Sequence, residues 1–214
     1  MSIPDSAMLQ PADVQEQPGY PASGIAPYLQ PPRPCADTRY PSDELRIDSR
    51  SLTFIYSRSY QRTDSGLPES RLSPGIDANR SQLVEYVALY RPGGAQQFLA
   101  EFRAAMAPSM LPTSAQATTG YAQCPQGSGT GGRRWAFMGP VNPGYSRDRL
   151  WVDVTSENRP GAATRTNITT VGVERVGNAV VVVANLGSEY ADGDIKLVAN
   201  IHGAASHRVE KAFS

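Results

Sequence analysis

Few side chains in this sequence have the type and spacing that chemistry needs. His202 and His207 are its only histidines. Five positions apart on a helix amounts to about 500° of rotation, so they fall on different faces and cannot form an i, i+4 metal pair. They read as surface or boundary residues. The run "GSGTGGRR" has the glycines of a phosphate loop. It lacks the closing Gly-Lys-Ser/Thr and follows no strand, so it reads as a loop. Arg133 and Arg134, adjacent on a strand, point to opposite faces. No Gly-x-Ser-x-Gly elbow supplies a nucleophile. Asp148, Asp153 and Glu157 are near neighbours, and Asp153 with Glu157 could line a site, but carboxylates at a strand end are usually solvated. Neither a catalytic set, nor a metal set, nor a cofactor motif is expected.

The aromatic residues carry more information. Phe54, Tyr56, Tyr86, Tyr90, Trp135 and Trp151 fall on different strands of what reads as one sheet. Tyrosine and tryptophan join an apolar body to a polar tip, so Tyr56, Tyr86, Trp135 and Trp151 are the candidates to line a pocket for an apolar or amphipathic small molecule. The competing reading is that they fill the sheet–helix core. A pocket would sit between the sheet and the long connections 61–81 and 107–132.

Composition narrows the partners. Twenty acidic and 20 basic residues cancel. With no basic excess to neutralise phosphates, nucleic acid is excluded as the expected partner. Cys35 and Cys124 are the two cysteines, both in polar, Pro-flanked segments, "PPRPCADTR" and "YAQCPQG". Free structural cysteines favour apolar cores. A disulfide between them is therefore expected over the alternative of two unrelated buried thiols, and with it an exported protein. The chain-entropy model gives a loop that long about 4–5 kcal/mol of stabilisation. The opening "MSIPDSAMLQ" has neither the basic nor the apolar region of a signal peptide. Export then implies that a leader or membrane anchor has been removed and that Met1 is not the natural start.

The elements that must position these residues follow from periodicity. Residues 1–44 hold half of the 18 prolines and read as a Pro-rich segment with one short helix at "LQPADVQ". Residues 45–214 read as the main domain. Leu52, Phe54 and Tyr56 alternate as on a half-buried strand, and "QLVEYVALY" is apolar on both faces apart from Glu85, as on an inner strand. Ala95, Phe98, Leu99, Phe102, Ala105 and Met106 draw one helical stripe, which Pro108 ends. "RRWAFM" and "DRLWVDVT" read as strands, the second with Leu150, Val152 and Val154 opposite Trp151 and Asp153. "TNITTVGVERV" and "AVVVVAN" form a hairpin across Gly177-Asn178 that sets Val176 opposite Ala179, Glu174 opposite Val181 and Gly172 opposite Val183. The valine run is too short to span a bilayer. A last helix, from about Asp192 to Phe213, buries Ile195, Val198, Ile201, Ala205, Val209 and Ala212, with Asp192 or Asp194 as its cap. The fold class expected is α+β: a single domain with a largely antiparallel sheet flanked by two main helices.

"MLQPADV", "YRPGGAQQFLAEFRAAM" and "GVERVGNAVVVVANLG" followed by an amphipathic helix are arranged as in actinobacterial extracytoplasmic sensor-type domains. The pattern resembles the extracellular domain of PknH-type receptor kinases and related lipoproteins over most of residues 7–213. The resemblance implies a sheet with flanking helices, a cleft and a ligand-sensing role, with no catalytic motif to carry over. That family has more cysteines than this chain, so its disulfide pattern does not transfer.

The expected function is a non-enzymatic, extracytoplasmic binding or sensor-like domain, membrane-anchored in full-length form, for an apolar or amphipathic small molecule or an envelope component. The alternative is a cofactor-independent cyclase or isomerase of natural-product biosynthesis, acting by substrate preorganisation in an apolar pocket. A third is a protein-interaction module, which a large flat apolar patch would mark. Oligomeric state stays open.

Overall fold

The computed structural model describes residues 2–14, 22–24, 40–57, 80–106, 133–137, 149–157, 166–186 and 193–214. A 3-10 turn (Asp5–Ala7) precedes α1 (Pro11–Val14), β1 (Ala22–Gly24), α2 (Pro41–Glu44), β2 (Arg46–Ser57) and β3 (Arg80–Tyr90). Then come α3 (Gly94–Met106), β4 (Arg133–Phe137), β5 (Arg149–Glu157), β6 (Thr166–Val176), β7 (Ala179–Leu186) and α4 (Ile195–Phe213).

The seven strands among the described residues form one sheet in the order β1-β2-β3-β7-β6-β5-β4. Every pairing is antiparallel. The fold is α+β, with one sheet and a helix on each face. Strands lead into a helix twice, β1–β3 into α3 and β4–β7 into α4. The two runs meet where β3 pairs with β7.

These two central strands are apolar on both faces because both faces are covered. Residues 83–90 of β3 and 179–185 of β7 are all buried. Tyr86, Ala88, Tyr90, Val180, Val182 and Ala184 pack with the α3 stripe of Ala95, Phe98, Leu99 and Phe102. Leu83, Val87, Leu89, Ala179, Val181 and Val183 pack with Leu197, Val198, Ile201, Ala205 and Val209 of α4. The strand period of two divides the valine run 180–183 between the two layers.

The β6–β7 hairpin turns on Gly177, whose φ of 58° is a left-handed value open to glycine at little cost. Val176 pairs with Ala179, Glu174 with Val181 and Gly172 with Val183, the register read from the sequence. Asp194 caps α4, its Oδ1 accepting from the Lys196 and Leu197 N–H groups at 2.9 and 3.2 Å. Asn185, at the end of β7, fixes where that helix starts. Its Oδ1 accepts from the Asp194 N–H at 2.7 Å, and its Nδ2 donates to the Gln82 carbonyl of β3 at 3.1 Å.

The N-terminal segment contributes to the same interior. Ile3, Ala7, Met8, Leu9 and Val14 are buried in the layer that holds α4. Arg208 of α4 grips Asp13 of α1 with two bonds, Nε to Oδ2 at 2.6 Å and Nη2 to Oδ1 at 3.0 Å. Replacing the α4 cap, Asp194→Ala, removes two hydrogen bonds to helix N–H groups. A loss of about 1 kcal/mol is expected in urea denaturation, with the sheet unchanged by circular dichroism.

Candidate functional site

The polar chemistry of the interior lies on the α4 face. One cross-strand row runs through Leu52, Glu85, Val183, Gly172 and Trp151, each paired with the next. Gly172 makes a notch in it. A methyl at this position would stand 2.7 Å from the Trp151 ring and 2.8 Å from the His202 ring. The bare backbone lets the two rings meet above the sheet, with centroids 5.4 Å apart and planes at 57°. β5 supplies the tryptophan, β6 the notch and α4 the histidine.

Beside the notch, Glu174 collects donors. Arg149 Nη2 lies 2.7 and 2.8 Å from its two carboxylate oxygens, and the Ser206 hydroxyl donates to Oε2 at 2.5 Å. The same Oε2 lies 3.5 Å from His202 Nδ1, too far for a normal hydrogen bond. His202 is 0% exposed, and neither ring nitrogen has a hydrogen-bond partner among the described residues. Burial lowers its pKa from 6.5 to about 4. Glu174 opposes that shift, Arg149 assists it, and the Val181 carbonyl opposes it without reaching hydrogen-bond geometry. The imidazole is therefore neutral at physiological pH. The serine is bonded to the glutamate and not to the histidine, so the group is no nucleophile–base relay.

Glu85 is the second buried titratable group, also 0% exposed. Its Oε2 accepts from the Leu9 N–H at 2.9 Å, and its Oε1 has no partner among the described residues. Burial pushes its pKa up from 4.5 to about 8. The Leu9 N–H and the Arg208 and Arg50 guanidinium groups oppose this shift, and Asp13 adds to it.

The four aromatic candidates do not come together. Tyr86 is buried in the α3 layer, where Arg46 Nη1 donates to its hydroxyl at 3.4 Å. Trp151 is buried in the α4 layer, on the other side of the sheet. Their residues are core on opposite faces, which corrects the reading of one aromatic surface. Phe54 and Tyr90 divide in the same way, Phe54 to the α4 layer and Tyr90 to the α3 layer. Tyr56 and Trp135 are placed by backbone alone, paired with Ser81 and Val154. Their side chains lie outside the described residues, as do those of Arg133, Arg134, Asp153 and Glu157. Cys35, Cys124, Asp148, the "GSGTGG" run and most of 61–81 and 107–132 also lie outside them.

His207 is exposed, as expected, but His202 is buried, which corrects its reading as a surface or boundary residue. The signal was available. His202 stands at i+4 from Val198, on the buried stripe with Ile201, Ala205 and Val209. Glu85 was visible as the one charge in an apolar strand. Among the described residues no group of three or more His, Cys, Asp or Glu could hold a metal ion. No helix among them is long and apolar enough to cross a membrane.

No family model and no curated protein matches the sequence. A solved structure that resembles it is the crystal structure of the extracellular domain of PknH from Mycobacterium tuberculosis. Identity is 14%, with 97% of this chain and 93% of that chain covered, and the TM-score is 0.41. This is a distant structural resemblance, and no site residue or activity is carried over from it.

Two substitutions test the notch. Gly172→Ala forces Trp151 and His202 apart, so a lower melting temperature and a red-shifted tryptophan emission are expected. The second uses pH. A pKa lowered on folding gives stability that is complete above the ordinary value of 6.5 and is lost as pH falls through about 4. His202→Leu should therefore lose less stability than the parent protein between pH 7 and pH 4, read as urea midpoints.

Proposed function

We propose that this chain is a non-enzymatic, extracytoplasmic binding domain of sensor type, anchored at the membrane in full-length form. Its ligand is an apolar or amphipathic small molecule or an envelope component. The supporting observation is topological. Ser57, Arg80, Leu186, Thr166, Glu157 and Arg133 lie at one end of the sheet by strand register. The connections 58–79, 107–132, 158–165 and 187–192 all join the sheet at this end. A rigid sheet that gathers several connections at one end has the usual form of a binding scaffold.

Within this reading the four aromatic residues separate into two roles. Tyr56 and Trp135 stand near the gathered end of β2 and β4, the strands beside or at the two edges of the sheet. They are the ligand-contacting candidates. Tyr86 and Trp151 are core and act on stability. The export reading rests on the Pro-flanked cysteines Cys35 and Cys124.

Native mass spectrometry of the protein purified from its own host is expected to show a retained small molecule. Tyr56→Ala and Trp135→Ala should lose that mass and keep the parent melting temperature. Tyr86→Ala and Trp151→Ala should each cost about 3–5 kcal/mol of stability, as for large aromatic truncations in a core. The absence of any retained mass, or its full retention in the Tyr56 and Trp135 variants, would contradict the proposal. Thiol titration of the denatured protein tests export separately. No reactive thiol is expected before reduction and two after it; two before reduction would remove the argument.

A further inference from the structure

Residues 2–14 belong to no strand, yet they cover part of the α4 face. They are fastened at both ends. At one, the Ile3 N–H donates to Asp48 Oδ2 at 2.8 Å, and Arg50 Nη1 donates to the Ile3 carbonyl at 3.0 Å. Arg50 also pairs with Asp5 at 2.5 Å. At the other, Arg208 holds Asp13. Between them Ala7, Met8, Leu9 and Val14 are buried, and the Leu9 N–H meets Glu85. That is the segment's polar contact with β3 among the described residues.

We propose that residues 2–14 are a detachable strap, latched by Glu85, which lifts from the α4 face as a unit when that carboxyl ionises. The groups around Glu85 are defined. The strap presents the Leu9 N–H and Asp13, α4 presents Arg208, β2 presents Arg50, and the paired residue on β7 is the uncharged Val183. Arg208 is committed to Asp13, and Arg50 to Asp5 and the Ile3 carbonyl. Among the described residues an ionised Glu85 thus has one hydrogen bond, no cation of its own and a carboxylate nearby. A protonated one sits at far lower cost in the same place.

The sign follows from linkage. With the strap closed, burial raises the Glu85 pKa from 4.5 to about 8. With the strap off, the carboxyl meets water and returns toward its ordinary value. The closed state binds more protons between these limits, so closure is complete below the lower one and weakens as pH rises through the upper one. This device does not rest on the ligand reading and goes beyond it.

Hydrogen–deuterium exchange of the whole chain between pH 5 and pH 8, corrected for the intrinsic pH dependence of exchange, tests it. Protection of residues 2–14 is expected to fall by about tenfold per pH unit within that window. Protection of residues 179–186 in β7 should hold. Glu85→Gln keeps the bond to Leu9 without the charge, so the fall should vanish. Arg208→Ala, which releases the strap's Asp13 anchor and leaves the Glu85 carboxyl in place, should lower its protection at every pH and keep the slope, which preserves the test if the first variant does not fold. Protection of 2–14 that is flat with pH in the parent protein would overturn the proposal. So would loss together with β7, or a slope that disappears in Arg208→Ala or persists in Glu85→Gln.

Discussion

The pairing of β3 with β7 in the middle of the sheet is the constraint from which the rest follows. Over residues 83–90 and 179–185 both strands are covered on both faces, so each side chain there enters one of two interiors. Val181 and Val183 support α4 while Val180 and Val182 support α3. Placed at this junction, any charged residue must lose its water. Glu85 is that residue, and the N-terminal segment lies over it.

The two interiors differ in chemistry. The α3 layer is built on apolar and aromatic side chains of β3, α3, β5, β6 and β7. The α4 layer contains Glu85 and, above the Gly172 notch, His202. Burial moves both groups toward their neutral forms, and so in opposite directions on the pH scale. Rising pH strains the layer at Glu85, and falling pH strains it at His202. The two slopes offset each other between 4.5 and 6.5, so the layer is most stable in that mildly acidic interval. Glu174, with Arg149 and Ser206 bonded to it, stands beside the histidine at the border of this layer, its side chain 14% exposed.

Much of the architecture was legible from local signals. The Gly177-Asn178 turn gave the register of β6 and β7, the α3 stripe gave its buried face, and Asp194 was one of two caps considered for α4. These features depend on residues close in sequence, and short-range rules govern them. The division of Tyr86 from Trp151 was not legible. Which face a strand residue takes depends on the pairing of distant strands, and a shift of one position exchanges the faces. His202 was missed because the two histidines were weighed only as a metal pair, although its position continued the apolar stripe of α4. The packing of residues 2–14 was hidden by composition. Half of the prolines fall in the first 41 residues, which read as a Pro-rich segment with one short helix and with no buried residue marked in it, whereas Ile3, Met8, Leu9 and Val14 are core.

The central claim is that Glu85 is held, largely without water, under residues 2–14 at the junction of the two halves of the sheet. Carbon-13 NMR of the glutamate side-chain carboxyls, assigned to Glu85 by the Glu85→Gln spectrum, follows its ionisation directly. A titration midpoint near 8 is expected. A midpoint at the ordinary 4.5, with the protein folded throughout, would contradict the account.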